Sequence, residues 1–181
     1  MQEQIKIDVY NWGPCVVRLK VKDDFKKLLM KEGKNNKKDY RGHLAGILES
    51  ETGYGEESKK KILPQLSQYL GVYDQAYQRI SFVIYCQIPD KLKKENEEYI
   101  GKSCGPGGIQ FVYGNGPRDC VTTMSFFPEE GDMFIFPAWL KHWVAPFKSD
   151  CLRISVSGNF HDQVPLNNVV NFAPDYIKNK K

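Results

Sequence analysis

Histidine is scarce in this 181-residue sequence: there are three, His43, His142 and His161. The five cysteines (Cys15, Cys86, Cys104, Cys120 and Cys151) are odd in number, and no two form a C-x-x-C pair. Neither a cysteine zinc site nor a dithiol redox motif is therefore expected, and reduced, mostly buried thiols are the reading that remains. No apolar run approaches the ~18–20 residues that cross a bilayer, and the opening "MQEQIKIDVY" has no apolar core of a secretory signal. A soluble, cytoplasmic protein with no membrane partner is expected. The net charge is only +4, and the lysines lie in runs shared with acids and amides, as in "FKKLLMKEGKNNKK", "DKLKKENEE" and "KNKK". Interleaved arginines and aromatics on one basic face are lacking, so no nucleic-acid partner is expected. Repeats and low-complexity tracts are absent as well.

What is present is aromatic and apolar. Hydrophobic residues make up 41% and aromatics 13% of the chain, enough for one well-packed domain and too much for general disorder. The reading is a single domain over 1–181. Residues 1–78 give two short strands, Ile5–Tyr10 and Cys15–Val21, and helical support. Residues 79–160 form a β core, and 161–181 a tail. Asp23–Lys31 reads as a helix that Asp23 or Asp24 can cap, with Phe25, Leu28 and Leu29 on one face. A second helical or turn segment is expected at Leu44–Leu48. From Glu57 to about Tyr77, Ile62, Leu63, Leu66, Leu70 and Tyr73 recur at helical spacing, with Pro64 predicting a kink or a start near Leu63. After Arg79 the period changes to that of strands. "RISFVIYCQIP", "GPGGIQFVYGNG", "CVTTMSF", "GDMFIFP", "HWVAPF" and "CLRISVSGNF" follow one another with turn signals between them, and a charged insert from Asp90 to about Lys102. Closely spaced β runs without helices predict an antiparallel barrel or jelly roll, with the upstream helices packed outside.

The chemistry concentrates in the last two β runs, expected to form a hairpin through "KSD". His142 stands between Trp139 and Trp143 in "FPAWLKHWVAPF". A buried imidazole is costly unless paired or bound. Along "CLRISVSGNF", Arg153, Ser155 and Ser157 share one face, and Leu152, Ile154 and Val156 the other. In that hairpin His142 lies opposite residue 155 or 157, and Arg153 is two to four residues along the same face, roughly 7–14 Å away. A short dicarboxylate fits between a metal on His142 and the planar donors of Arg153. Without further support, a strand histidine is more often a satisfied core or rim residue, and a lone arginine an ion-pair partner.

The ordered set "SFVIYCQIP", "GPGGIQFVYG", "GDMFIFPAWLKHWVAPF" and "LRISVSGNF" resembles the Fe(II)/2-oxoglutarate-dependent dioxygenases, in particular the prolyl-hydroxylase-like branch and its phage-type relatives, over about Ser81–Phe160. The resemblance implies a mainly β fold with flanking helices, a double-stranded β-helix (jelly roll, cupin-like). It implies an oxygenase or hydroxylase with Fe(II) as cofactor and 2-oxoglutarate and O₂ as co-substrates. Ascorbate is implied by analogy, as is a protein side chain as substrate and, for a phage-encoded chain, the host cytoplasm as location. By position, His142 matches the distal metal histidine and Arg153 the arginine that grips the remote carboxylate of 2-oxoglutarate. Ser155 matches a serine two residues after that arginine, and Tyr85 a strand tyrosine that bonds the same carboxylate. Trp139 and Trp143 would shape the entrance, and the glycine-rich end of the insert would face the substrate.

One part of the family pattern is not found. Its His-x-Asp or His-x-His pair belongs about ten residues before Tyr85, where this chain has Asp74-Gln75-Ala76. Asp74 is the one carboxylate there and the weaker candidate for a metal ligand; His43 and His161 read as structural or surface residues. Six β runs follow Arg79 where a complete double-stranded β-helix has eight, and no turn residue separates helix from strand at Arg79–Ile80. The fold is therefore expected to be incomplete at the ligand-bearing strand, with a segment missing near Gln78–Ile80. Two alternatives to the oxygenase stay open: a catalytically inactive jelly-roll binding or interaction protein, and a metal-free cupin-like isomerase or sugar-binding domain.

Overall fold

A computed structural model describes residues 6–11, 13–35, 52–71, 79–114 and 123–161. The expectations for His43, Asp74, Cys120, the 44–48 segment and the end of the second helix beyond Gly71 lie outside the described residues. Eight strands and three helices are described. β1 (Ile7–Asn11) and β2 (Cys15–Lys20) precede α1 (Asp23–Lys34) and α2 (Glu56–Leu70). β3 (Arg79–Gln87) leads to α3 (Asp90–Glu97), then β4 (Ile109–Val112) and β5 (Thr123–Phe126). β6 (Asp132–Pro137), β7 (Lys141–Val144) and β8 (Ile154–His161) close the order.

The strands form two antiparallel sheets, one in the order β1-β2-β6-β3-β8 and one in the order β5-β4-β7. After β3 the chain alternates between them: β4 and β5 in the small sheet, β6 in the large, β7 in the small, β8 in the large. This corrects the expected hairpin. β7 pairs with β4, placing His142 opposite Phe111, and β8 pairs with β3, placing Ser155 opposite Tyr85. "KSD" is a crossover between sheets. Adjacent strands with a short link usually pair, but here β7 has Val144 to bury in the core between the sheets and β8 has Ile154, Val156 and Phe160 to bury on the helix side, so each strand finds its partner in a different sheet.

Period-2 alternation assigns the faces. On the large sheet, Val17, Leu19, Phe82, Ile84, Met133 and Ile135 pack against α1 and α2. The opposite residues, Val16, Tyr85, Phe134 and Phe136, pack against Ile109 and Phe111 of the small sheet. The molecule is thus a β-sandwich with helices on one outer face, as the resemblance implied in outline. β6 is the middle strand of the large sheet, covered on both faces, and all six of its residues are buried. Phe111 is the hub between the sheets, with ring centroids 5.0 Å from Phe136, 6.0 Å from Phe134 and 6.3 Å from Phe126.

Three local expectations change. α1 starts at Asp23 with Lys22 as its N-cap and no side-chain cap; Asp23 sits in the first turn and pairs with Lys26 at 3.1 Å. Its charge there favours the positive end of the helix dipole without a capping bond. α2 begins at Glu56 and runs through Pro64. Pro64 is on the exposed side, where water can take the carbonyl that loses its partner, while Ile62, Leu66, Tyr69 and Leu70 bury the other side. The charged insert is half helix, α3, with Leu92 buried. Of the four described cysteines, Cys86 is buried and Cys15, Cys104 and Cys151 are partly exposed. No described helix is long and apolar enough to cross a membrane.

Because Phe111 has rings of both sheets around it, Phe111→Ala should remove about 3–5 kcal/mol of stability. Urea unfolding should show this as a lower midpoint at unchanged slope.

Candidate functional site

The small sheet covers only part of the large one. Tyr10 of β1 meets Phe126 of β5 edge-on at 4.7 Å, Phe111 of β4 lies over β6, and His142 of β7 reaches Phe136 of β6 at 4.6 Å. Nothing of the small sheet lies over β8 among the described residues. Its inward residues Ser155, Ser157 and Asn159 are accordingly exposed, while Ile154, Val156 and Phe160 pack on the helix side. The result is a cleft with a polar floor from β8 and β3 and a rim from β7.

His142 stands at that rim. Its ring is exposed in area yet lies edge-on to Phe136 and 6.3 Å from Phe111. The expected buried imidazole is therefore a half-covered one, because β7 is the edge of its sheet. Nδ1 is 2.8 Å from the Leu140 carbonyl oxygen. A carbonyl only accepts, so the ring proton sits on Nδ1 and Nε2 carries the free lone pair. The turn that sets this geometry is closed by Leu140 N–H donating to Pro137 O at 2.9 Å.

Arg153 and Tyr85 make the other end. Tyr85 is fully buried, with its ring against Phe134 at 6.1 Å. The Arg153 guanidinium carbon lies 5.6 Å from the Tyr85 ring centroid. A bulge brings it there: Tyr85 pairs with Ser155 but Gln87 pairs with Ile154, so the register slips as the strand ends. Tyr85 Oη and Arg153 Nη1 are both buried, and neither has a hydrogen-bond partner. Burial pushes the Tyr85 phenol up to about 12, against the pull of the Arg153 charge. At neutral pH the corner presents a phenol O–H and one guanidinium nitrogen that has no partner beyond the Tyr85–Arg153 contact itself.

The chain leading into Arg153 is held by the insert. Glu95 accepts from the Lys148 amide at 2.9 Å, the Ser149 amide at 2.8 Å and the Ser149 hydroxyl at 2.5 Å. Gln87 Nε2 donates to Leu152 O at 2.8 Å. Sequence reasoning missed Glu95, since one acid in "DKLKKENEE" carries no distinguishing signal. It also missed Asn159 and Ser81, whose side chains bond at 2.5 Å on the cleft floor. Those two were within reach: Asn159 continues the 153, 155, 157 series, and Ser81 is four before Tyr85.

The structure places Tyr85 opposite Ser155 and beneath Arg153, while His142 stands at the edge of the other sheet against Phe136, so the four are carried by two sheets and not by the single hairpin expected. Trp139 and Trp143 are exposed, Trp139 against Tyr113 at 5.8 Å. Among the described residues, no three His, Cys, Asp or Glu are grouped to hold a metal ion. A family model described as "Putative 2OG-Fe(II) oxygenase" matches residues 67–159, just over half of the chain. The chain belongs to this family. No curated protein and no solved structure matches it. The 2OG-Fe(II) oxygenase match runs from within α2 to Asn159 and so spans every strand of the cleft. The family as a whole uses Fe(II), 2-oxoglutarate and O₂.

Two outcomes follow from this geometry. Tyr85→Phe removes an unpaired buried hydroxyl, so the melting temperature should hold or rise, where loss of a satisfied tyrosine hydroxyl would lower it. The hydrogen bonds from Ser149 and Lys148 hold the Glu95 carboxyl below the usual carboxylate range. A depressed folded pKa gives a clamp fully present above the unfolded value of about 4.3 and lost as pH falls through the folded one. Amide exchange at Lys148 and Ser149 should therefore be slow near neutrality and rise on acidification beyond the intrinsic pH effect; Glu95→Ala should show the fast exchange at every pH.

Proposed function

We propose that the chain is a 2-oxoglutarate-dependent oxygenase of the hydroxylase type, a single domain in which Arg153, Tyr85 and Ser155 hold the remote carboxylate of 2-oxoglutarate. The observation that carries the reading is the pair of buried donors without partners, Tyr85 Oη and Arg153 Nη1. An unmet buried polar group costs about 1–3 kcal/mol, and a fold retains two side by side where a ligand meets them. A carboxylate has the lone pairs for both, and a guanidinium engages it bidentately. Ser155, directly across from Tyr85, adds a hydroxyl on the same face.

His142 is the metal-facing imidazole of this reading, since Nδ1 is taken by the Leu140 carbonyl and Nε2 is left as the ligating nitrogen. The fit to iron ends there. No second nitrogen or carboxylate accompanies it among the described residues, and the 181-residue sequence contains no His-x-Asp or His-x-His pair. Iron with one protein ligand is weakly held, so no step is assigned through it. Asp74, outside the described residues, is the remaining carboxylate candidate. The sandwich fits an incomplete double-stranded β-helix: among the described residues β7 and β8 each pair on one side only, and one further strand on each would make eight from β3 onward. The substrate class suggested by the family branch is a protein side chain. The cleft's floor of hydroxyls and an amide suits a polar segment.

Adding Fe(II) and 2-oxoglutarate anaerobically, then air, tests the reading. Succinate formation that is lost in both His142→Ala and Arg153→Ala is the expected result. Succinate that persists in both variants would remove the cleft from the chemistry, and no succinate from the parent chain would leave the family's fold without its reaction.

A further inference from the structure

We infer that β1 is a homodimer edge: it pairs antiparallel with β1 of a second copy across a twofold axis at Ile7, joining two large sheets into one continuous sheet. β1 and β8 are the two edges of the large sheet. The surface therefore lies at the far side of the sheet from Arg153 and Ser155, and it stands apart from the proposed activity.

Among the described residues, β1 has β2 on one side and no strand on the other. It pairs with β2 through all five of its residues without a bulge, and Tyr10 anchors it to Phe126 of β5. The open edge is thus regular and firmly held, and it has neither the proline nor the bulge that commonly blocks strand addition. It is also apolar on one face. Ile7 and Val9 stand opposite Leu19 and Val17 of β2. The β2 pair is 2% and 4% exposed beneath α1, whereas Ile7 and Val9 are 39% and 54% exposed. The helical layer stops one strand short of the sheet's edge. A second copy brings its own Ile7 and Val9 to the same strip and removes part of that apolar surface from water.

Charge selects both the partner and the register. Lys6 and Asp8 alternate with the apolar residues and so face the other side of the sheet. Within one chain Lys6 Nζ is 3.8 Å from Asp8 Oδ1, longer than a hydrogen bond, and both side chains are exposed. A twofold axis perpendicular to the sheet at Ile7 sets Lys6 of each copy directly opposite Asp8 of the other, giving two cross-strand ion pairs. Moving the axis by one residue sets Asp8 against Asp8, or Lys6 against Lys6, and like charges directly opposite are destabilising. Centring it on Val9 sets Asp8 against Tyr10 and leaves Lys6 with no acid opposite. The Ile7 register is the one of these four that pairs every charge, and it keeps Ile7 and Val9 of both copies on the helix side.

The test is sedimentation equilibrium of the full chain and two charge variants, with disulfide trapping to read the register. A five-residue strand pair makes a small interface, so the dimer should be populated at about 100 μM and lost on dilution to about 1 μM. Lys6→Glu and Asp8→Lys each put like charges across the axis and should be monomeric over that range. Mixed in equal amounts they complement each other, and the dimer should return. Under mild oxidation Ile7→Cys should give a covalent dimer beyond the background of the parent's own cysteines, since paired Cα atoms about 4.5–5.5 Å apart are within disulfide reach. Val9→Cys should not, because its two copies lie roughly 14 Å apart at ~3.4 Å per residue. Near-UV circular dichroism checks that each variant is folded, and the two cysteine variants carry the test alone if Asp8→Lys is not. A parent chain that stays monomeric at the higher concentration, a dimer that persists in both charge variants, or a mixture that fails to pair would overturn the inference. Trapping through Val9→Cys and not through Ile7→Cys would overturn the axis at Ile7.

Discussion

Three strands cannot cover five. The small sheet fits over β1, β2 and β6, where Phe111, Phe126, Phe134 and Phe136 interlock, and it ends at β7 before reaching β8. The residues proposed to be functional lie along that boundary. On the covered side the inner face of the large sheet is aromatic and dry. On the uncovered side it turns polar within one strand, where among the described residues no strand of the small sheet lies over Ser155, Ser157 and Asn159. A cleft of this kind needs no loop to form it; it is the difference in width between two sheets.

The two ends of the cleft carry different energetic burdens. His142 is satisfied at Nδ1 and wet at its other nitrogen, so in the free protein it costs little. Tyr85 and Arg153 are the opposite case, with Oη and Nη1 buried and unpaired. Their stacking offsets part of that burden, since a guanidinium over an aromatic face is favourable by about 0.5–2 kcal/mol. The surrounding core supplies the rest: Phe134 and the sheet-spanning rings hold Tyr85 where it would not remain on its own account. Local instability at the corner is thus sustained by the same aromatic packing that the sheet mismatch leaves intact.

Much of this was legible from the chain. The change from helical to strand period at Arg79, the six β runs after it and the helices outside the sheet all follow from the spacing of apolar residues, which burial on one face imposes. The 155, 157 alternation located the polar face of β8, while the roles read for His142 and Tyr85 come from the resemblance alone. Strand pairing was not legible. "KSD" is short enough for a hairpin, and only the positions of Phe111 and Tyr85 in three dimensions decide that β7 and β8 part into different sheets. Helix ends were also misread, because Pro64 and the Asp23 cap are weak local preferences that burial of Phe25, Leu66 and Tyr69 overrides. Glu95 was invisible for a related reason: its partners are backbone amides 53 and 54 residues away, which no local pattern encodes.

That long-range contact has a further consequence for how the cleft is kept. Arg153 sits between a bulge and a crossover, the two least regular places on β8, and a long flexible side chain there would lose considerable entropy on being fixed over a ring. The insert removes that cost in advance. Lys148 and Ser149 are anchored to α3 by Glu95, and Leu152 to β3 by Gln87, so the backbone on the approach to Arg153 is fixed from two independent elements. Gly107 and Ala145 add a third tie, with N–H···O contacts of 3.0 Å and, through Gly108, 2.8 Å. A segment that reads as a solvated charged insertion therefore braces the backbone that leads into Arg153.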